Sequence, residues 1–140
     1  MAARREGLRD AALLALRFSA GFMLFYLHGL DKLKGAYAHY AHGAEWGFPG
    51  HIASIGVPLA TFAALFVTFA EGIASLFLAA GLFTRYAAMI VAAAMAGAVY
   101  YHAKTATKPE LALIYMVIAL LFVFHDPGRF ALERFRRGRR

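Results

Sequence analysis

Residues 57–85 read VPLATFAALFVTFAEGIASLFLAAGLFTR. From Val57 to Phe83 the only ionisable side chain is Glu71, and the run closes on the breaker Gly81 and the polar pair Thr84-Arg85. A helix needs roughly 20 apolar residues to cross a hydrocarbon core about 30 Å thick, so this segment can span a bilayer unaided. The rest of the chain agrees with it. Of its 140 residues 61% are hydrophobic and 16% charged, and mean hydropathy is +0.58; a soluble domain carries about 25% charged residues. Such a composition excludes a disordered chain and argues against a soluble globular one. The length fits a single domain, residues 1–140. Cysteine is absent, which removes disulfides, thiolate nucleophiles and cysteine-held iron–sulfur clusters.

Three further apolar runs flank this one: Ala11–Leu30, Tyr86–Tyr101 and Leu111–Phe124. The first is long enough to span. The last two are short and need flanking residues such as Ala103 or Pro109, or a locally thin bilayer. The predicted architecture is therefore an all-α, polytopic four-helix membrane bundle. Its spans lie near 11–30, 57–83, 86–103 and 109–125, with an outer loop 31–56 and a basic tail 126–140. The first run exceeds the 7–15-residue apolar region of a cleaved signal peptide and is read as a retained span. Ala88, Ala92 and Ala96 mark a face of the third helix where another backbone can approach closely.

The chain carries a net charge of +7, with the arginines gathered on one side of this topology. Arg4, Arg5, Arg9, Arg85, Arg129, Arg134, Arg136, Arg137, Arg139 and Arg140 face Lys32, Lys34, Lys104 and Lys108 across the bilayer. The positive-inside rule then places both termini in the cytoplasm. The tail is read as a segment lying on anionic lipid, not as a nucleic-acid binder.

Glu71 is the first candidate for chemistry. A carboxyl near mid-membrane costs roughly 2.5–3.5 kcal/mol on insertion scales, and such residues mark function by default. It could relay a proton or bond the head of a polar ligand such as a quinone; alternatively it is a structural strut held by Arg17 or a backbone group. Side chains lean towards the N-terminus of their helix, so Arg17 and Glu71, on antiparallel helices, lean apart, and a direct pair between them stays open. His28 and His102 should share one depth with Tyr26, Tyr100, Tyr101 and Tyr115. That level reads as an aromatic belt with interfacial histidines, with haem ligation as the alternative. His39, His42 and Glu45 could share a helical face, yet they form no defined metal framework, and no metal is predicted. Phosphate-binding glycine loops and the GxSxG elbow are absent, and no pair of broken spans suggests a transporter.

Two segments resemble the DoxX family of small four-helix bacterial membrane proteins. Tyr26-Leu27-His28-Gly29-Leu30-Asp31-Lys32-Leu33 is similar to the family's HG-x-x-K-L stretch. Ala70–Arg85 is similar to its membrane Glu, small residues, Leu-rich run and closing Gly-Leu-x-Thr-Arg. Ile55-Gly56-Val57-Pro58 and Arg17 also match the family style, so the resemblance runs from about Arg17 to Ala96. Ala74 and Ser75 stand where the family commonly has a Gly pair, which keeps the surface small but removes a glycine-specific approach. The resemblance implies a bacterial inner-membrane protein related to respiratory or thiosulfate-to-quinone oxidoreductases and to oxidative-stress membrane complexes. The leading expectation takes Glu71 as the catalytic group, with Arg17, His28, Lys32, Tyr26 and His102 around a bound quinone. Partner redox subunits or a second copy are expected beside the lipid. The competing expectations are a non-catalytic membrane scaffold and, third, a small transporter.

Overall fold

A computed structural model describes residues 2–137. Its order is α1 (Ala2–Leu24), a π-helical turn (Phe25–Gly29), α2 (Leu30–His42), α3 (Gly47–Ser54), α4 (Ala60–Phe69), a second π-helical turn (Ala70–Ala74), α5 (Ser75–Ala80), α6 (Thr84–Lys104), α7 (Glu110–Phe124) and α8 (Leu132–Arg137). No strand occurs among the described residues. Residues 138–140 of the expected basic tail lie outside them.

Three helices are long and apolar enough to cross a membrane: Arg4–His42, Ala60–Ala80 and Thr84–Lys104. The fourth apolar run forms the shorter α7, which packs along α6. The connection 31–56, expected as an outer, partly helical segment at the interface, is largely helical. The first helix does not stop at Leu30 but continues to His42, making a rod of 39 residues, about 58 Å at 1.5 Å per residue. That is nearly twice the hydrocarbon thickness, and α2 accordingly buries none of its residues. Gly43 ends it in the left-handed region at φ 67. The second long helix starts at Ala60 instead of Val57, and α3 fills much of the remaining connection.

The helices approach through small residues. A Cβ on Gly21 would lie 2.7 Å from the Ala79 nitrogen, and one on Gly29 would collide with the Glu71 backbone. The core is correspondingly rich in alanine, with Ala20, Ala64, Ala70, Ala74, Ala88 and Ala119 all buried beside Leu24, Leu78, Val91 and Phe122. Large apolar side chains such as Phe18, Phe62, Phe77, Ile114 and Phe124 face outward. Small inside and large outside is the arrangement lipid favours, because lipid tails solvate a Phe as well as a protein core does. On α6 the buried face runs through Ala87, Ala88, Val91, Ala92, Ala94 and Met95, while Ala96 points away from the core. The expected alanine stripe thus holds for its first two members only.

The second long helix ends as a Schellman motif. Gly81 sits at φ 74, Leu82 donates to the Phe77 carbonyl at 2.9 Å and Gly81 to that of Leu78 at 3.2 Å. These bonds satisfy the carbonyls that a helix end otherwise leaves without partners, and the chain turns at once into α6.

Candidate functional site

The two π-helical turns face each other. In the first, the Leu30 N–H bonds to the Phe25 carbonyl; in the second, the Ser75 N–H bonds to that of Ala70. Each turn therefore holds one extra residue, and such bulges in helices concentrate at functional sites. They place His28 and Glu71 where the two backbones come closest. Gly29 permits the approach, and a Cβ on Gly72 would lie 2.6 Å from the Leu33 side chain. Ser75 donates its hydroxyl back to the Glu71 carbonyl, which occupies an acceptor that the bulge leaves without its usual partner.

Glu71 is paired with Lys32. The Lys32 Nζ stands 2.5 Å from Glu71 Oε2, with the side chains 21% and 6% exposed respectively. The ammonium also donates to the His28 carbonyl at 3.4 Å and lies 5.3 Å from the centre of the Phe48 ring on α3. The directional rule that separates Arg17 from Glu71 explains this pairing. Lys32 leans back along its helix towards the bundle, Glu71 on the antiparallel helix leans towards Lys32, and the two meet.

The pair opens into a cavity of about 430 Å³, in the size range of small-molecule sites, whose walls are mostly apolar. Its polar lining comes from His28, Lys32, His51, Glu71, Tyr100, Tyr101, His102 and Tyr115, and its apolar lining includes Leu24, Phe48, Ile52, Val67 and Met95. The His28 ring meets Tyr115 edge-on, with centroids 6.4 Å apart. His102 Nδ1 shares a 2.7 Å hydrogen bond with Thr107 Oγ1. An ammonium donor beside a carboxylate acceptor, both within apolar walls, can hold a group that accepts one hydrogen bond and donates another.

Of the residues expected at the site, the structure brings Glu71, His28, Lys32 and His102 to this cavity. It does not bring Arg17 or Tyr26. Tyr26 is 60% exposed and stacks outward on Phe22, with centroids 6.0 Å apart. Arg17 is 1% exposed at the opposite end of the bundle. There it donates through Nε to the Ala79 carbonyl at 3.3 Å, through Nη1 to that of Pro127 at 2.8 Å and through Nη2 to that of Phe130 at 3.4 Å. It closes the end of α5 and ties down the segment before α8, in place of a contact with Glu71. His39, considered for a metal, bonds through Nδ1 to the Ala44 carbonyl at 2.8 Å, and no group of three metal-ligating side chains occurs among the described residues.

Sequence reasoning missed the α3 contribution, Phe48 and His51, and gave Tyr115 only a place in the belt. The i, i+4 spacing of His28 and Lys32, with a glycine directly after both His28 and Glu71, was the available signal for the site.

No curated protein and no solved structure matches the chain. The DoxX family model matches residues 12–104, which takes in both π-helical turns, the Lys32–Glu71 pair, His28 and His102. Covering well over half of the sequence, that match shows that the chain belongs to the DoxX family.

Proposed function

We propose that this multi-pass membrane protein is a small subunit of a quinone-linked oxidoreductase, with the quinone head seated against Lys32 and Glu71. The observation that carries this reading is the ion pair set in the wall of a cavity of about 430 Å³ that is otherwise mostly apolar. Lys32 offers a donor to a quinone oxygen, Glu71 an acceptor for a quinol hydroxyl, and the apolar walls suit the ring. A bound quinone would supply the electron chemistry, for which the chain has no thiolate cluster of its own, and the second redox partner belongs to another subunit. In this reading the protein sits in the bacterial inner membrane with both termini in the cytoplasm, as the arginine bias supports, and α7 is the fourth span.

Native mass spectrometry of the protein extracted gently from its own membrane tests the reading. A bound mass equal to a quinone, diminished in Glu71→Gln while the variant stays folded, is the expected result; a haem mass would move the chemistry to His28 and His102. A bundle carrying only lipid or a partner chain would favour the second reading, a non-catalytic scaffold. One observation supports that alternative: Glu71 is already satisfied by Lys32 within the chain. Under it, Glu71→Gln lowers thermal stability or partner binding with no ligand to lose.

A further inference from the structure

The ionisable groups of the bundle interior are unevenly distributed along its axis. Those that line the cavity come from six of the elements around it: His28 from the first π-helical turn, Lys32 from α2, His51 from α3, Glu71 from the second π-helical turn, Tyr100, Tyr101 and His102 from α6, and Tyr115 from α7. The outermost of them lie at the end where α6 finishes and α7 begins. His51 is exposed there, and His102 and Lys32 are half-buried. On the other side of Glu71, towards the termini, the interior is closed by Ala74, Leu78, Ala88, Val91, Ala119 and Phe122, all buried. The hydroxyl of Ser75 in this region is committed to the Glu71 carbonyl. The next charged group, Arg17, reaches the carbonyl of Ala79, roughly 12 Å along the helix from Glu71 at 1.5 Å per residue. Arg17 spends its donors on carbonyls and offers no acceptor.

We propose that the Lys32–Glu71 cavity is a one-sided site. Water, protons and the polar head of a ligand reach Glu71 only from the end of the bundle opposite the termini, and the terminus-side half is a dry plug. Carrying a charge through that plug would mean desolvating it with no charged group on the way and only the buried hydroxyls of Ser75 and Thr84 beside it. For the identity of the ligand this inference rests on the quinone reading. A ligand hydroxyl bound at Glu71 then exchanges its proton only with the side opposite the termini, and the bundle itself conducts none.

The chain has no cysteine, so single introduced thiols report access without background. Ala98→Cys and Ala63→Cys place a thiol on two walls of the cavity, Ala88→Cys places one in the plug, and Ala103→Cys supplies an exposed control at the far end. Each full-length variant, checked for an unchanged melting profile, is placed in sealed vesicles whose orientation is fixed by protease cleavage of the tail. A charged, membrane-impermeant methanethiosulfonate is then added to one side at a time. The expected result is modification at 98 and 63 from the side that labels 103, none from the tail side, and none at 88 from either. Modification at 98 or 88 from the tail side would overturn the proposal. So would silence at both 98 and 63 while 103 reacts. Added ubiquinone should protect position 98. If one-sided labelling persists without protection, access stands as proposed and the quinone reading fails.

Discussion

Lys32 and Glu71 show how a charged pair can be retained within an apolar bundle. Neither group alone is cheap at that depth. Together they lose less than the sum of their separate penalties, although a well-packed apolar pair would serve stability as well or better. The pair is therefore poor evidence for a purely structural role, and a double-mutant cycle measures its coupling. Lys32→Met leaves a buried carboxylate without its counter-charge and should cost about 3–5 kcal/mol. Glu71→Gln keeps a hydrogen-bonding group and should cost less. The combined variant should recover much of the loss from Lys32→Met, because it removes both charges. Thermal melting in detergent gives all four corners; strictly additive losses would show that the 2.5 Å contact is not coupled in solution. The directional argument weighed against an Arg17–Glu71 pair but left it open in the sequence. What concealed the true partner was the treatment of Lys32 as an outer-loop residue beyond the span.

At the scale of elements, the opposed π-helical turns set the spacing of the two central helices. Gly29 and Gly97 provide a matched comparison, both in helical segments and differing in what surrounds them. A Cβ at position 29 meets the Glu71 backbone, whereas one at position 97 meets nothing within 4 Å. Gly29→Ala should destabilise by about 1–3 kcal/mol or more through overpacking, while Gly97→Ala should be neutral or stabilising by up to about 1 kcal/mol from helix propensity. Chemical-denaturant melts in one detergent distinguish the two; equal effects would place the helices further apart than described. These turns were not legible in advance, because the apolar pattern of a span is the same whether one residue bulges or none does. The choice depends on how closely a neighbouring backbone approaches. The continuation of the first helix to His42 was legible in principle, since between Leu30 and Gly43 the only breaker is the isolated Gly35. It was missed because Asp31 and Lys32 read as the end of the span, and the end of an apolar run does not end a helix.

The segment that joins α7 to α8 has its own pH dependence. Burial of the Asp126 carboxyl opposes its ionisation, but the Gly128 N–H, a hydrogen bond and the charge of Arg134, and the charge of Arg9 together outweigh that effect and hold it below the usual value. A carboxyl depressed in the folded state contributes stability above its ordinary value of about 3.9, and that contribution fades as pH falls through the lower folded value. Below about pH 4 the protection of amides over residues 128–133, relative to the free-chain exchange rate at each pH, should therefore fall, and Asp126→Asn should show the lower protection already at neutral pH. An unchanged pH profile in the variant would assign the effect to another group.

For the whole molecule, the number of crossings governs which compartments the two ends of the chain occupy. By length α7 is marginal, its 15 residues covering about 22 Å at 1.5 Å per residue. The tertiary bonds bear on the same question. Arg17 of α1 bonds to the carbonyls of Pro127 and Phe130, and the Arg129 N–H bonds to Asp10 Oδ1 at 3.3 Å. Asp10 and Arg17 thus meet residues 127–130 at one end of the bundle, and a topology that keeps these segments on one face has an even number of crossings. In the proposed topology, with the three long apolar helices as spans, α7 is the crossing that makes the count even. Epitope tags at the two termini of the intact protein should accordingly be cleaved by protease from the same face of a sealed vesicle, and a protease site inserted after Gly43 from the opposite face. Tags on opposite faces would mean that α7 lies in the membrane without crossing it, and that the Arg17 clasp does not form in the bilayer. Agreement with the arginine bias would further put the tagged face in the cytoplasm, which inverted and right-side-out vesicles distinguish directly.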